Sequence, residues 1–206
     1  MKMNKILLLS IIAWCFGFIP LSHAQKVVIK SGSPAYLKSL SGIGLEFTYD
    51  NMMAGKLKEA DYVARKVQEY NAEEPGKGDQ WSKNWVSDRQ AKYQPRFQDG
   101  FNNYLMLSGV DFKAIPNAGG KYRMVVHTLS TEPGSDVKSA GKTASINVEV
   151  AFIDEAGAEF ASVMITNCPG NDNMELDYNT GARIQEAYAN AGRALAAFLL
   201  KEAFGK

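Results

Sequence analysis

Two runs of strict alternation constrain this chain more than any other feature. From Ala144 to Asp154, Ile146, Val148, Val150 and Phe152 alternate with Ser145, Asn147, Glu149 and Ala151. From Gly42 to Asp50, Ile43, Leu45, Phe47 and Tyr49 alternate with Gly44, Glu46, Thr48 and Asp50. Successive side chains of a strand point to opposite faces, so each run predicts a strand with one buried face and one wetter face. Two further strands are expected beside the first run, at Lys121–Ser130 and Glu159–Cys168. The short Glu155-Ala156-Gly157-Ala158 link suits a hairpin. Val27-Val28-Ile29, within a lead-in from Gln25 to Ser41, reads as an edge strand.

A sheet with one apolar face needs a cover, and the helical periodicities supply it. Glu59–Asn71 carries Val63, Val67 and Tyr70 at helical spacing, and Glu73-Glu74-Pro75-Gly76-Lys77-Gly78 ends that helix. Asp79 is the expected N-cap of a second helix bearing Trp81 and Trp85. Pro95 should break or kink it, then open a segment with Phe97, Phe101 and Tyr104 on one face. Gly109–Gly120 reads as loop. In the last helix Ile184, Tyr188, Ala191, Leu195 and Phe198 form a narrow apolar stripe. The order predicts an α+β two-layer sandwich: a mostly antiparallel sheet of four to five strands with helices packed on one face. Residues 25–206 are expected to form a single domain with a helical insertion at about 51–94, and Phe47, Val148 and Leu195 to share one core.

The N-terminus sets the compartment. Lys2 and Lys5 precede the apolar runs Ile6–Leu9 and Ile11–Ile19, and Ser22 and Ala24 supply small residues before Gln25. That order of parts predicts a signal peptide over residues 1–24, cleaved after Ala24, and a periplasmic or secreted protein. The stretch is too short, and too interrupted by Gly17 and Pro20, for a transmembrane anchor. Cys15 follows Trp14 rather than the small residue that a lipobox needs. The formal charge of +1 becomes about −1 once Lys2 and Lys5 leave, so no basic surplus exists to hold nucleic acid. Cys15 leaves too, and the remaining Cys168 cannot form an intramolecular disulfide.

No motif for chemistry survives inspection. Gly134–Thr143 echoes a phosphate-binding loop but has too many residues between its glycines, and a strand rather than a helix is expected after it. His23 belongs to the leader, which leaves His127 alone, and one imidazole builds no zinc site. A Cys168–His127 dyad would have to reach across an intervening strand. The acidic run Asn171–Asp177 gathers oxygen ligands without the calcium-loop pattern of central glycine and final glutamate. We therefore expect no catalytic residue, cofactor or metal site. Trp81 and Trp85, four apart on a helix, are either core or a stacking surface.

Two resemblances add to this. The segment Glu59–Phe101, with Thr131–Gly134 and Asp177–Tyr188, resembles a family of exported proteins of unknown function from Gram-negative bacteria. That resemblance covers most of the mature chain and carries no known activity, so it implies no catalytic residue. The order of elements is similar to the N-terminal domain of the translocation protein TolB, to lipoprotein activators of penicillin-binding proteins and to curli-secretion modules. These work by contacting other envelope proteins. The resemblance implies a non-enzymatic periplasmic protein-interaction domain with an envelope protein as partner. The region Glu73–Trp85 is the expected contact surface, through Glu73, Glu74, Lys77, Asp79, Trp81 and Trp85. The alternative is a binder of small ligands or envelope glycans, or a hydrolase acting on them, using Trp81, Trp85 and an unidentified acid. The sequence leaves the oligomeric state open.

Overall fold

The computed structural model describes residues 25–116, 120–134, 143–170 and 180–206. The leader, most of the Gly134–Thr143 loop and the acidic run Asn171–Asp177 lie outside the described residues. The strands are β1 (Lys26–Gly32), β2 (Gly42–Thr48), β3 (Met53–Ala54), β4 (Leu57–Lys58), β5 (Lys113–Pro116), β6 (Arg123–Glu132), β7 (Ser145–Ile153) and β8 (Glu159–Pro169). The helices are α1 (Glu59–Glu73), α2 (Lys77–Asp88), α3 (Gln94–Leu107) and α4 (Thr180–Glu202).

The fold is mixed α+β, but among the described residues its sheet has eight strands rather than four to five, in the order β1-β8-β7-β6-β2-β5 with β3 and β4 off that path. The surplus comes from short pieces. Strands of two to four residues have no room for a period, so β3, β4 and β5 are silent in a reading that depends on alternation. The expected loop Gly109–Gly120 contains β5, where Gly42–Leu45 pairs with Lys113–Pro116 in parallel. The half of the sheet from β1 through β6 is antiparallel, whereas β2 runs parallel to both β5 and β6. Parallel pairing follows from the connection. Three helices separate β2 from its neighbours in the chain, which is the kind of crossover a parallel pair requires.

The alternation appears as expected in the strands that show it. Ile146, Val148, Val150 and Phe152 of β7 are buried, with Met124 and Val126 of β6 and Val163 and Ile165 of β8 beside them. This face packs under α3 and α4. Thr128 of β6 shares a hydrogen bond with the Tyr188 hydroxyl at 2.6 Å, and Phe47 meets Phe97 edge to face with centroids 5.6 Å apart. Val148 and Leu195 are both buried in this core, and Phe47 packs against it partly buried. The two helices approach closely because each places a glycine at the crossing. A Cβ at Gly100 would stand 2.4 Å from the Ala189 carbonyl oxygen, and one at Gly192 would stand 2.2 Å from that of Phe97.

The break expected near Pro95 takes the form of a π turn over Arg89–Tyr93, closed by the Gln94 N–H donating to the Arg89 carbonyl. Pro95, in the first turn of α3, has no N–H to give, and its ring presses on the preceding turn. Between β2 and the π turn, the helices α1 and α2 fold back on one another as a hairpin, preceded by the small β3–β4 ribbon.

Candidate functional site at the corner of helices α1 and α2

The turn between these helices is built by side chains that the helices themselves supply. Gly76 takes φ +85°, the left-handed region, and the chain enters α2 directly behind it. Asp79 was the expected cap but sits exposed in the first turn of α2. The capping acceptor comes from α1 instead. Asn71 Oδ1 accepts from the Gly78 N–H at 2.8 Å, satisfying one of the unpaired donors that every helix start carries. The Gln80 N–H donates to the Gly76 carbonyl at 3.1 Å. Side-chain capping across a helix hairpin leaves no local sequence pattern, which is why the nearer aspartate drew the expectation.

Beneath this corner runs a ladder of rings. Trp81 contacts Tyr62, Tyr70 and Trp85, with centroids 6.1, 5.7 and 5.4 Å away, and Tyr62 meets Trp85 at 5.3 Å. The two tryptophans part company in depth. Trp85 is only 5% exposed and belongs to the core; Trp81 packs against that core half-buried. Of the two places that the sequence leaves open for it, Trp85 takes the core, and so it drops out of the expected contact surface. Its Nε1 donates to Glu59 Oε1 at 2.5 Å, the same oxygen that Arg89 binds. Arg89 in turn lies 4.3 Å over the Tyr49 ring.

Above Trp81 lies an open groove of about 560 Å³, lined by Glu74, Pro75, Gly76, Lys77, Gln80, Trp81 and Asn84. Glu74, Lys77 and Trp81 of the expected surface meet here. Glu73 is one step removed, bound to Lys77 Nζ through Oε2 at 2.7 Å. That hydrogen bond raises the Lys77 pKa. Lys77 and Lys66 both lie over the Tyr70 ring, at 5.5 and 5.4 Å, so cations cover the rings where the tryptophan does not. Gln80 and Asn84, absent from the expected surface, share a hydrogen bond of 3.0 Å along the rim. Their spacing of four residues was the available signal, since it places both on the helix face beside Trp81.

The remaining candidates are dispersed. Cys168 is buried on the helix-covered face and donates from Sγ to the Ala187 carbonyl at 3.3 Å. Burial pushes its thiol pKa up to about 12, the reverse of what a nucleophile requires. His127 stands on the other face of the sheet, its Nδ1 2.8 Å from Thr48 Oγ1, and Glu149 is its register partner on β7. The sheet itself separates the two side chains. Among the described residues no three His, Cys, Asp or Glu gather in a way that could hold a metal, and no helix is long and apolar enough to cross a membrane.

No family model and no curated protein matches this chain. Several solved bacterial structures do. A PelC dodecamer from Paraburkholderia phytofirmans is 13% identical, with 81% of this chain and 96% of that one covered at a TM-score of 0.33. A variant PelC dodecamer from the same organism is 14% identical, covering 82% and 99% at a TM-score of 0.32. A Xanthomonas campestris protein of the DUF330 family is 11% identical, covering 83% and 90% at a TM-score of 0.34. Likeness of this degree does not extend to function or assembly.

Proposed function

We propose that this chain is a non-enzymatic interaction domain of the cell envelope that meets another envelope protein through the α1–α2 corner. The observation that carries this is the groove itself: an open concavity with Trp81 as its apolar wall and exposed Glu74, Lys77, Gln80 and Asn84 around it. An apolar centre ringed by polar groups is the anatomy of a protein contact, and tryptophan is enriched among the residues that dominate such contacts. Trp81 is held by Tyr62, Tyr70 and Trp85, so little freedom remains to be lost on binding. The leader over residues 1–24 supports a periplasmic or secreted location. The order of elements read from the sequence, which is similar to that of TolB-type envelope modules, points to the same class of partner.

A second reading, binding of an envelope glycan, draws on one feature: the Trp81 ring has the amides of Gln80 and Asn84 beside it, a ring to stack on and groups to bond hydroxyls. Hydrolysis is disfavoured by the same geometry. It needs two placed carboxylates, and among the described residues Glu74 is the single acid lining the groove.

The test is capture from the native envelope by the mature protein and by a Gln80→Arg/Asn84→Arg variant. Both positions are exposed, so the fold should persist. The proposal expects a specific protein that the wild type retains and the variant loses. Equal capture by both would overturn it, and loss of binding to purified envelope glycan alone would favour the second reading.

A further inference from the structure

We propose that Tyr36 and Tyr122 are a site of oxidative cross-linking, where a peroxide acting through one-electron steps joins the two rings as dityrosine. Tyr36 lies in the short helical turn Pro34–Ser39, and Tyr122 stands just ahead of β6. Their hydroxyls share a hydrogen bond of 2.8 Å although the residues are 86 positions apart in the chain. The ring centroids are 5.6 Å apart and the planes 42° from one another, so the rings converge towards their hydroxyl ends. Coupling of phenols joins the ring carbons beside the hydroxyls, and those are the ends that meet. Tyr36 is 49% exposed, so a dissolved oxidant reaches the pair. Tyr93 and Tyr188 also stack, at 5.1 Å, but both are buried.

Both rings are held in place by what surrounds them. Pro34 and Leu37 anchor the turn in the core, and the Tyr36 ring meets Phe160 edge to face at 5.7 Å. The Tyr122 carbonyl accepts from the Gly44 N–H at 3.0 Å, which fixes its backbone to β2. Holding two reactants side by side turns a bimolecular step into a unimolecular one. In that step each phenol gives one electron to the oxidant and one proton to water. The two phenoxyl radicals pair their electrons in a new carbon–carbon bond, and the hydrogens on the joined carbons move to the oxygens, restoring both hydroxyls. One hydrogen peroxide takes up the two electrons and two protons and leaves as two waters. Exported proteins meet oxidising surroundings, where most chains use disulfides as ties. Among the described residues Cys168 is the single cysteine, so the tyrosine pair is the covalent tie this fold offers. The bond would close the chain from β2 through α3 into one loop.

The test treats the mature protein, in dilute solution, with hydrogen peroxide and a haem peroxidase under conditions that couple free tyrosine. The expected product is a monomer lighter by two hydrogen atoms, with dityrosine fluorescence and its native circular dichroism spectrum. Digestion should yield one cross-linked peptide pair that joins residues 36 and 122. Tyr36→Phe and Tyr122→Phe each keep the ring but form no phenoxyl radical there, so each should lose that fluorescence in the monomer. Dityrosine found only between molecules, a cross-link that joins other residues, or equal monomer fluorescence from the variants would overturn the proposal. So would a 36–122 bond that forms only with loss of the native spectrum. Should a variant fail to fold, the peptide map of the wild type decides: a 36–122 pair supports the site, and its absence contradicts it.

Discussion

Gly192→Ala should destabilise this protein although alanine is the better helix former. In an unpacked helix the exchange would gain about 1 kcal/mol. Here the new methyl would stand 2.2 Å from the Phe97 carbonyl oxygen and 2.9 Å from the Phe101 nitrogen, both backbone atoms of α3. Backbone in mid-helix cannot swing aside as a side chain can, so the helices must part by roughly 1 Å, and packed surfaces lose a quarter to a half of their contact energy over such a gap. The crossing carries Phe97, Phe101, Leu195 and Leu199, all fully buried. We take the upper end of the overpacking range, about 3 kcal/mol. Less the gain in propensity, a net loss of about 2 kcal/mol remains, which lowers the melting temperature by about 4–8 °C for a chain of this size. Urea unfolding should give a lower midpoint with an unchanged slope. Arg193→Ala, at the exposed neighbouring position, should stay within about 0.5 kcal/mol of the wild type. A Gly192→Ala protein as stable as the wild type, or more so, would refute the close crossing.

Asn71→Ala removes the side chain that receives the Gly78 N–H and should cost about 1 kcal/mol by chemical unfolding, the usual worth of a cap. Cys168 should resist alkylation in the folded protein at pH 8 and react fully in urea, since its thiol is buried and raised to about 12. Burial also raises the Tyr62 pKa to about 12. Both groups stay protonated in the folded state while the unfolded chain loses their protons near 9 and 10. Stability should therefore be full below pH 9 and fall as pH rises towards 12, which melting across that range checks. Cys168→Ala and His127→Gln, singly or together, should leave partner capture intact in samples that keep the native spectrum, because the side chains occupy opposite faces of the sheet.

The legible parts of the fold are those where physics writes a period. The alternation of Ile146 to Phe152 announced β7, and the stripe from Ile184 to Phe198 announced α4, because each has one face against the core. β5 was hidden because Ala114 is its single buried residue and Pro116 ends it after four positions. The parallel placement of β2 was hidden for another reason. Alternation tells which face is buried but not which strand lies alongside. The candidate site was legible in part. Lys77 and Trp81 stood out by type, but side chains four apart on a helix share a face without sharing a depth. Trp85, one turn nearer the core, is therefore enclosed by Tyr62 and Glu59 while Trp81 stays at the groove. The Asn71 cap depends on a contact between two helices, and no spacing in the chain records it.

A partner seated in the groove over Trp81 would lie within reach of a crosslinker placed on the groove wall. A photoreactive residue placed at Gln80, on the groove wall, would be compared with one at Lys38, exposed in the short helical turn after β1. Irradiation in intact cells should give a discrete higher-mass adduct with one envelope protein from position 80 and none from position 38. Trp81→Ala should abolish the adduct while the protein remains folded. The same adduct from both positions, or none from position 80 when the protein is folded in its native envelope, would mean that no partner sits in the groove.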